Sequence, residues 1–141
     1  MGQPGDSLAA HFPVSIKGVV FRDERVVLLR NERDEWELPG GKLELGEAPE
    51  DCCAREIFEE LSLAVSVERL LDCWVYDILG RVKVLIVTYG CSLHSSAPIS
   101  ISSEHKAVGL FRVPELDALP MPEGYKASVR RWWKHRYTGT G

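Results

Sequence analysis

The segment from Gly40 to Leu61 constrains this chain more than any other. Three glycines punctuate Gly40-Gly41-Lys-Leu-Glu-Leu-Gly46-Glu47, and Pro49 to Leu61 follows with the clearest helical pattern in the sequence. Proline suits a first helical turn, where its missing N–H would have had no partner, and Glu50 and Asp51 place acid at the positive end of the dipole. Ala54, Ile57, Phe58 and Leu61 recur at helical spacing as an apolar stripe, with Cys53 at its margin. Such a stripe has to be buried against another element, so the chain must fold in layers.

The other layers are strands. Val14 to Phe21 is rich in β-branched residues, Asp23-Glu24 signals a turn, and Val26 to Leu29 completes an expected hairpin. Trp36 to Pro39 reads as short and extended, because Pro39 excludes the α region for its predecessor. Leu63 to Tyr76 alternates in part and suggests a long, bulged strand; Val82 to Cys91 and Val108 to Val113 are further strands. Ser92 to Ser103 reads as a serine-rich loop, and Pro114 to Ala118 as one helical turn. A final amphipathic helix is expected over Glu123 to Arg136, with Tyr125, Val129 and Trp132 or Trp133 turned inward. This order predicts an α/β fold, a mixed sheet covered by helices. We expect a disordered tail over 1–10 and a single domain over 11–141.

Composition narrows the function. Of 141 residues, 17 are Lys or Arg and 21 are Asp or Glu, a net charge of −4. That balance does not suit a protein that coats nucleic acid or an anionic membrane, each of which calls for a basic face. The run Arg130-Arg131-Trp-Trp-Lys-His-Arg136 interleaves cations with aromatics, but helical packing of a tryptophan with cations near a helix C-terminus accounts for it. The longest uncharged stretch, Val84 to Ser103, is interrupted by Thr88, Gly90, His94, Pro98 and six serines, so it does not read as a membrane span. The first residues carry neither a basic nor an apolar region of a secretion signal, and Gly2 reads as part of a frayed tail. Cys52, Cys53, Cys73 and Cys91 contain no C-x-x-C pair and are expected as buried free thiols in a cytoplasmic protein.

Chemistry concentrates on the helix. Glu56, Glu59 and Glu60 fall on one face, within an arc of roughly 100°. Taken alone, the triplet is most simply a solvated acidic face. The preceding glycine loop changes that reading, because its backbone can approach a metal ion or a phosphate closely. Three neighbouring carboxylates then suit a hard divalent cation such as Mg²⁺, which takes carboxylate ligands together with substrate phosphate oxygens. Glu47 and Arg55 bracket the helix start, where an ion pair would fix the carboxylates.

Read together, the segment resembles the Nudix box, G-x5-E-x7-R-E-U-x-E-E-x-G-U with U apolar. Gly41, Glu47, Arg55, Glu56, Ile57, Glu59, Glu60 and Leu63 match at the required spacing, and Ser62 stands where the pattern has glycine. Six of the matches are specific residue types, for which chance agreement is about 10⁻⁷ per window. Serine at that helix end should cost on the order of 1 kcal/mol without touching the acidic side chains.

The resemblance implies an α/β/α sandwich around a mixed sheet and Mg²⁺-dependent hydrolysis of a diphosphate linkage in a nucleotide, with Mn²⁺ as a possible substitute. It implies Glu56, Glu59 and Glu60 as metal ligands together with the Gly41 carbonyl. Arg55, Glu56 and Glu59 become candidate catalytic residues, and either Glu56 or Glu104 is the general base. Arg30, Trp36, Gly40 and Lys42 are candidates for binding the substrate. For Arg30 the plainer alternative is an exposed strand end, and for Trp36 a packing role. A Nudix-fold module that senses a nucleotide without cleaving it is the other class of function, and a homodimer is in keeping with the family. The missing proline beyond the box, where the chain reads Asp77-Ile-Leu-Gly80, favours nucleoside triphosphates over ADP-ribose-like substrates.

Overall fold

A computed structural model of the chain describes residues 8–102, 105 and 107–139. Most of the expected tail, and Glu104, lie outside the described residues. Among these described residues, eight strands and two α-helices follow in the order β1 (Val14–Val19), β2 (Phe21–Arg22), β3 (Arg25–Arg30), β4 (Trp36–Glu37), β5 (Gly40–Lys42), α1 (Pro49–Leu61), β6 (Val65–Ile78), β7 (Val82–Leu93), β8 (Ala107–Phe111) and α2 (Glu123–Trp133). A 3₁₀ turn over Val113–Ala118 precedes α2, and a π-helical turn over Lys134–Thr138 follows it.

The strands form two sheets. One runs β5-β1-β7-β6, with β1 parallel to β7 and antiparallel to β5; the other runs β2-β3-β4, with β8 on the free side of β3. The expected single strand Val14 to Phe21 is therefore divided. The chain leaves the first sheet after Val19 and enters the second at Phe21, and the Val27 amide donates to the Val20 carbonyl at the crossing. The hairpin itself forms as expected, with Asp23 and Glu24 both at positive φ, the geometry of a tight turn that follows strand twist. Trp36 to Lys42 crosses between the sheets in the same way, pairing with β3 through Trp36–Glu37 and with β1 through Gly40–Lys42. These two crossings bring the glycine loop onto the end of α1.

Strand β3 shows why both faces need cover. Val26 and Leu28 belong to one core with α2; Val27 and Leu29 belong to the other with α1. Successive side chains point to opposite faces, so four consecutive apolar residues demand a layer on each side. Trp132, Val129 and Tyr125 fill the α2 side as predicted, and Trp132 donates its indole N–H to the Cys91 carbonyl. Trp133 is only half-buried, and the α-helix ends there instead of at Arg136.

On the other side α1 is rotated from the expected stripe. Cys52, Cys53, Ile57 and Leu61 are buried, whereas Phe58 is 58% exposed. The reason is close approach to β1. A Cβ at Gly18 would meet Ile57 Cδ1 at 2.6 Å and the Cys53 and Cys91 sulfurs at 3.0 Å, so small thiols face a strand that only glycine lets this near. Cys73 is exposed, contrary to the expectation of four buried thiols, because it lies on the outer strand β6. That strand carries the predicted bulges, between Val67 and Arg69 and between Leu70 and Asp72. Ser62 adopts the left-handed conformation normally given to glycine, φ 57° and ψ 33°, and its amide caps the helix on the Phe58 carbonyl.

Candidate active site

The last two turns of α1 and the strand β5 face one another across a cleft of about 620 Å³. Glu32, Glu37, Glu56, Glu59 and Glu60 line it, with Gly40, Gly41, Lys42, Ser15, Ser102 and His105. The structure thus brings together Glu56, Glu59, Glu60, Gly40, Gly41 and Lys42. Arg55 is not among the lining residues, nor are Arg30 and Trp36. Arg30 lies over the Trp36 ring at 5.9 Å and pairs with Asp34, while Trp36 packs edge-on against Phe111.

Glu60 is the inner wall. It is 6% exposed, and its Oε1 accepts the Gly40 amide hydrogen at 2.7 Å. Burial pushes its carboxyl up to about 7, with the Glu56 and Glu37 charges adding to the effect and Lys17 and the Gly40 amide opposing it. Glu56 sits against Gly41. A Cβ at that glycine would lie 2.3 Å from Glu56 Oε2, so the carboxylate occupies space any side chain at 41 would take.

Arg55 orders the outer wall. Its guanidinium holds Glu47 bidentately, Nε to Oε2 at 2.6 Å and Nη2 to Oε1 at 2.9 Å, and its Nη1 reaches Glu56 at 2.9 Å and Glu59 at 3.2 Å. The forked geometry suits arginine and no other cation. Hydrogen bonds from Arg55 hold the Glu47 carboxyl down to about 2.

Sequence reasoning missed the floor of the cleft. Glu37 accepts Asn31 Nδ2 at 3.0 Å, and its other oxygen faces His105 Nε2 at 3.3 Å and Lys17 Nζ at 3.8 Å. Burial works against ionisation of Glu37, but Lys17, Asn31 and His105 together keep its carboxyl below the usual range. Lys17 is 8% exposed, and although burial opposes its charge, Tyr125, Glu37, Glu60 and Glu56 raise its pKa. A signal existed: Lys17 and Glu37 are single charges inside otherwise apolar extended runs, a pattern that calls for a buried partner.

The Glu56, Glu59 and Glu60 carboxylates form a hard-oxygen donor set, and the absent side chain at Gly41 leaves the Glu56 carboxylate against the backbone. That chemistry fits Mg²⁺. Among the described residues no three such side chains already converge as a ready metal cage, since Glu56 and Glu59 lean on Arg55 and Glu60 on the Gly40 amide.

The fold and the box-bearing cleft define a class, and comparison with known proteins states it. The family model for the NUDIX domain matches residues 11–132, and the chain belongs to that family. It is 42% identical over 88 residues to a MutT-like protein of Streptomyces ambofaciens, covering 60% of this chain and 57% of that one. It is 29% identical over 126 residues to a putative 8-oxo-dGTP diphosphatase 2 of Mycobacterium tuberculosis, covering 84% of this chain and 88% of that one. The crystal structure of a MutT protein from Methanosarcina mazei Go1 shares the fold, with a TM-score of 0.77 at 18% identity over 92% of this chain and 99% of that one. Several of the curated relatives are much longer than the matched region, which spans between 27% and 57% of their length.

Proposed function

We propose that this protein is a Nudix pyrophosphohydrolase that cleaves a diphosphate linkage in a nucleoside triphosphate or a nucleoside diphosphate derivative. One observation carries the reading: Glu56, Glu59 and Glu60 reach a single cleft beside the backbone of Gly40 and Gly41. A sensing module has no use for every carboxylate of the box, and all of them are present.

Glu56, Glu59 and Glu60 with the Gly41 carbonyl would hold Mg²⁺, for which Mn²⁺ can substitute. The bound ion supplies charge neutralisation of the diphosphate and a more acidic water. The protein's own groups do the rest. Arg55 orients Glu56 and Glu59 through one guanidinium. The Gly40 amide and the Lys17 charge hold Glu60 in place. Lys42, at the cleft edge, attracts the phosphate chain. Glu56, or Glu104 from the segment before β8, takes the proton of the attacking water. Nucleoside triphosphates lead the substrate classes, supported by the missing proline past the box and by the name of the Mycobacterium relative.

The test is a panel of nucleoside triphosphates, oxidised triphosphates, ADP-ribose and dinucleotides, incubated with and without Mg²⁺, with products identified. Metal-dependent release of a nucleoside monophosphate supports the proposal. Binding without cleavage across the panel overturns it in favour of a sensor.

A further inference from the structure

The segment leading into β8 is fastened to the end of α1. Ser100 donates its amide to the Leu61 carbonyl at 3.1 Å and Ser102 to the Glu60 carbonyl at 2.9 Å. These carbonyls belong to the last helical turn, which has no partners of its own for them. The third fastening is a side chain. His105 Nε2 lies 3.3 Å from Glu37 Oε1 and 3.3 Å from Glu60 Oε2. Its ring is 9% exposed, and its other nitrogen, Nδ1, is buried without a hydrogen-bond partner among the described residues. All of the polar commitment of the imidazole is therefore on the Nε2 side.

We propose that His105 is a positioning residue of the cleft, placing one Nε2–H between the carboxylates of Glu37 and Glu60 and so fixing Glu60 against the Gly40 amide. Glu37 comes from β4 and Glu60 from α1, elements of different layers, and two like charges this deep repel unless a donor stands between them. Nε2 faces an oxygen of each carboxylate while Nδ1 faces no acceptor among the described residues, so the ring hydrogen belongs on Nε2. Lys17 approaches Glu37 at 3.8 Å, too far for a hydrogen bond, and leaves that place to His105. The Gly40 amide fixes one oxygen of Glu60 and His105 faces the other, which sets the direction in which the carboxylate presents itself.

This inference rests on Glu60 as a metal ligand, as the proposed hydrolase requires, and its test reads Mn²⁺ and proton position besides turnover. The full-length chain, His105→Leu and His105→Gln are titrated with Mn²⁺, following the free ion by electron paramagnetic resonance. Groups that orient a ligand typically contribute about 10- to 100-fold in metal affinity or activity, so His105→Leu should weaken Mn²⁺ binding by about tenfold or more. Gln carries an N–H at the reach of Nε2 and should stay within about threefold of wild type on that same scale. Histidine nitrogen NMR of the wild type at alkaline pH should show Nε2 protonated. Wild-type affinity in His105→Leu, equal loss in both variants, or a proton on Nδ1 alone would each overturn the proposal. If no nucleotide is hydrolysed while these readouts hold, the hydrolase reading fails and the role of His105 stands.

Discussion

The Gly40 amide hydrogen meets Glu60 Oε1 at 2.7 Å, joining the strand of the glycine loop to the last turn of α1. A helix residue and a loop residue twenty positions apart thereby fix one another. The neighbouring glycine does the same for Glu56 by steric means, since it leaves the volume that the carboxylate fills. Loop and helix form one device, and its failure modes are specific.

Glu60→Gln keeps the shape of the side chain and the acceptor for Gly40 but removes the charge. Mg²⁺-dependent hydrolysis should fall by more than about a hundredfold. The circular dichroism spectrum should match wild type. Turnover within tenfold of wild type would remove Glu60 from the metal site.

In metal-free protein the Glu60 carboxyl is raised from 4.5 to about 7 on folding. The folded state then binds the proton more tightly than the unfolded chain. The stabilisation is complete below about pH 4 and is lost as pH rises through about 7. With chelator present, the melting temperature of wild type should drop relative to Glu60→Gln between about pH 5 and about pH 8. Parallel curves across that window in scanning calorimetry would contradict the assigned shift.

The two glycines separate activity from stability. The atoms nearest a Cβ at Gly41 belong to the flexible end of Glu56, so Gly41→Ala should melt near wild type. It should lose up to about a hundredfold in kcat through a misplaced carboxylate. A Cβ at Gly40 would lie 2.0 Å from the Ile16 carbonyl oxygen, with φ at 146°. Gly40→Ala should therefore cost at least about 3 kcal/mol in a denaturant titration.

Ser62→Gly relieves a left-handed φ of 57° at the helix end. Stability should rise by about 1 kcal/mol with kcat unchanged. A loss of stability would show that the serine has a role beyond the cap.

Glu104→Gln decides between the two candidates for the general base. If Glu104 serves, the rate should fall by about 10²–10⁴. A loss below about tenfold assigns the proton to Glu56.

Much of this is legible in the sequence. The glycine loop, α1 and its acidic face, the hairpin at Asp23-Glu24 and the left-handed end at Ser62 are local. Their causes lie in residues a few positions apart. The exposed Phe58 and the buried Cys52 were not legible, because the orientation of α1 depends on Gly18 in a strand far away in sequence. The division of Val14 to Phe21 between two sheets was hidden for the same reason: both halves are apolar, and only their partners differ.

The amino-acid sequence alone determined the class of protein, the helix that carries the carboxylates and the residues of the box, since spacing along one helix is a local property. Tertiary structure decided which polar groups stand opposite them. Lys17, Glu37 and His105 come from strands and a connecting segment with no periodic relation to α1, and they meet Glu60 only because two chain crossings fold the glycine loop and β4 onto the end of that helix. Electrostatics inside a cleft depends on distance through space, and that distance is set by the packing of layers.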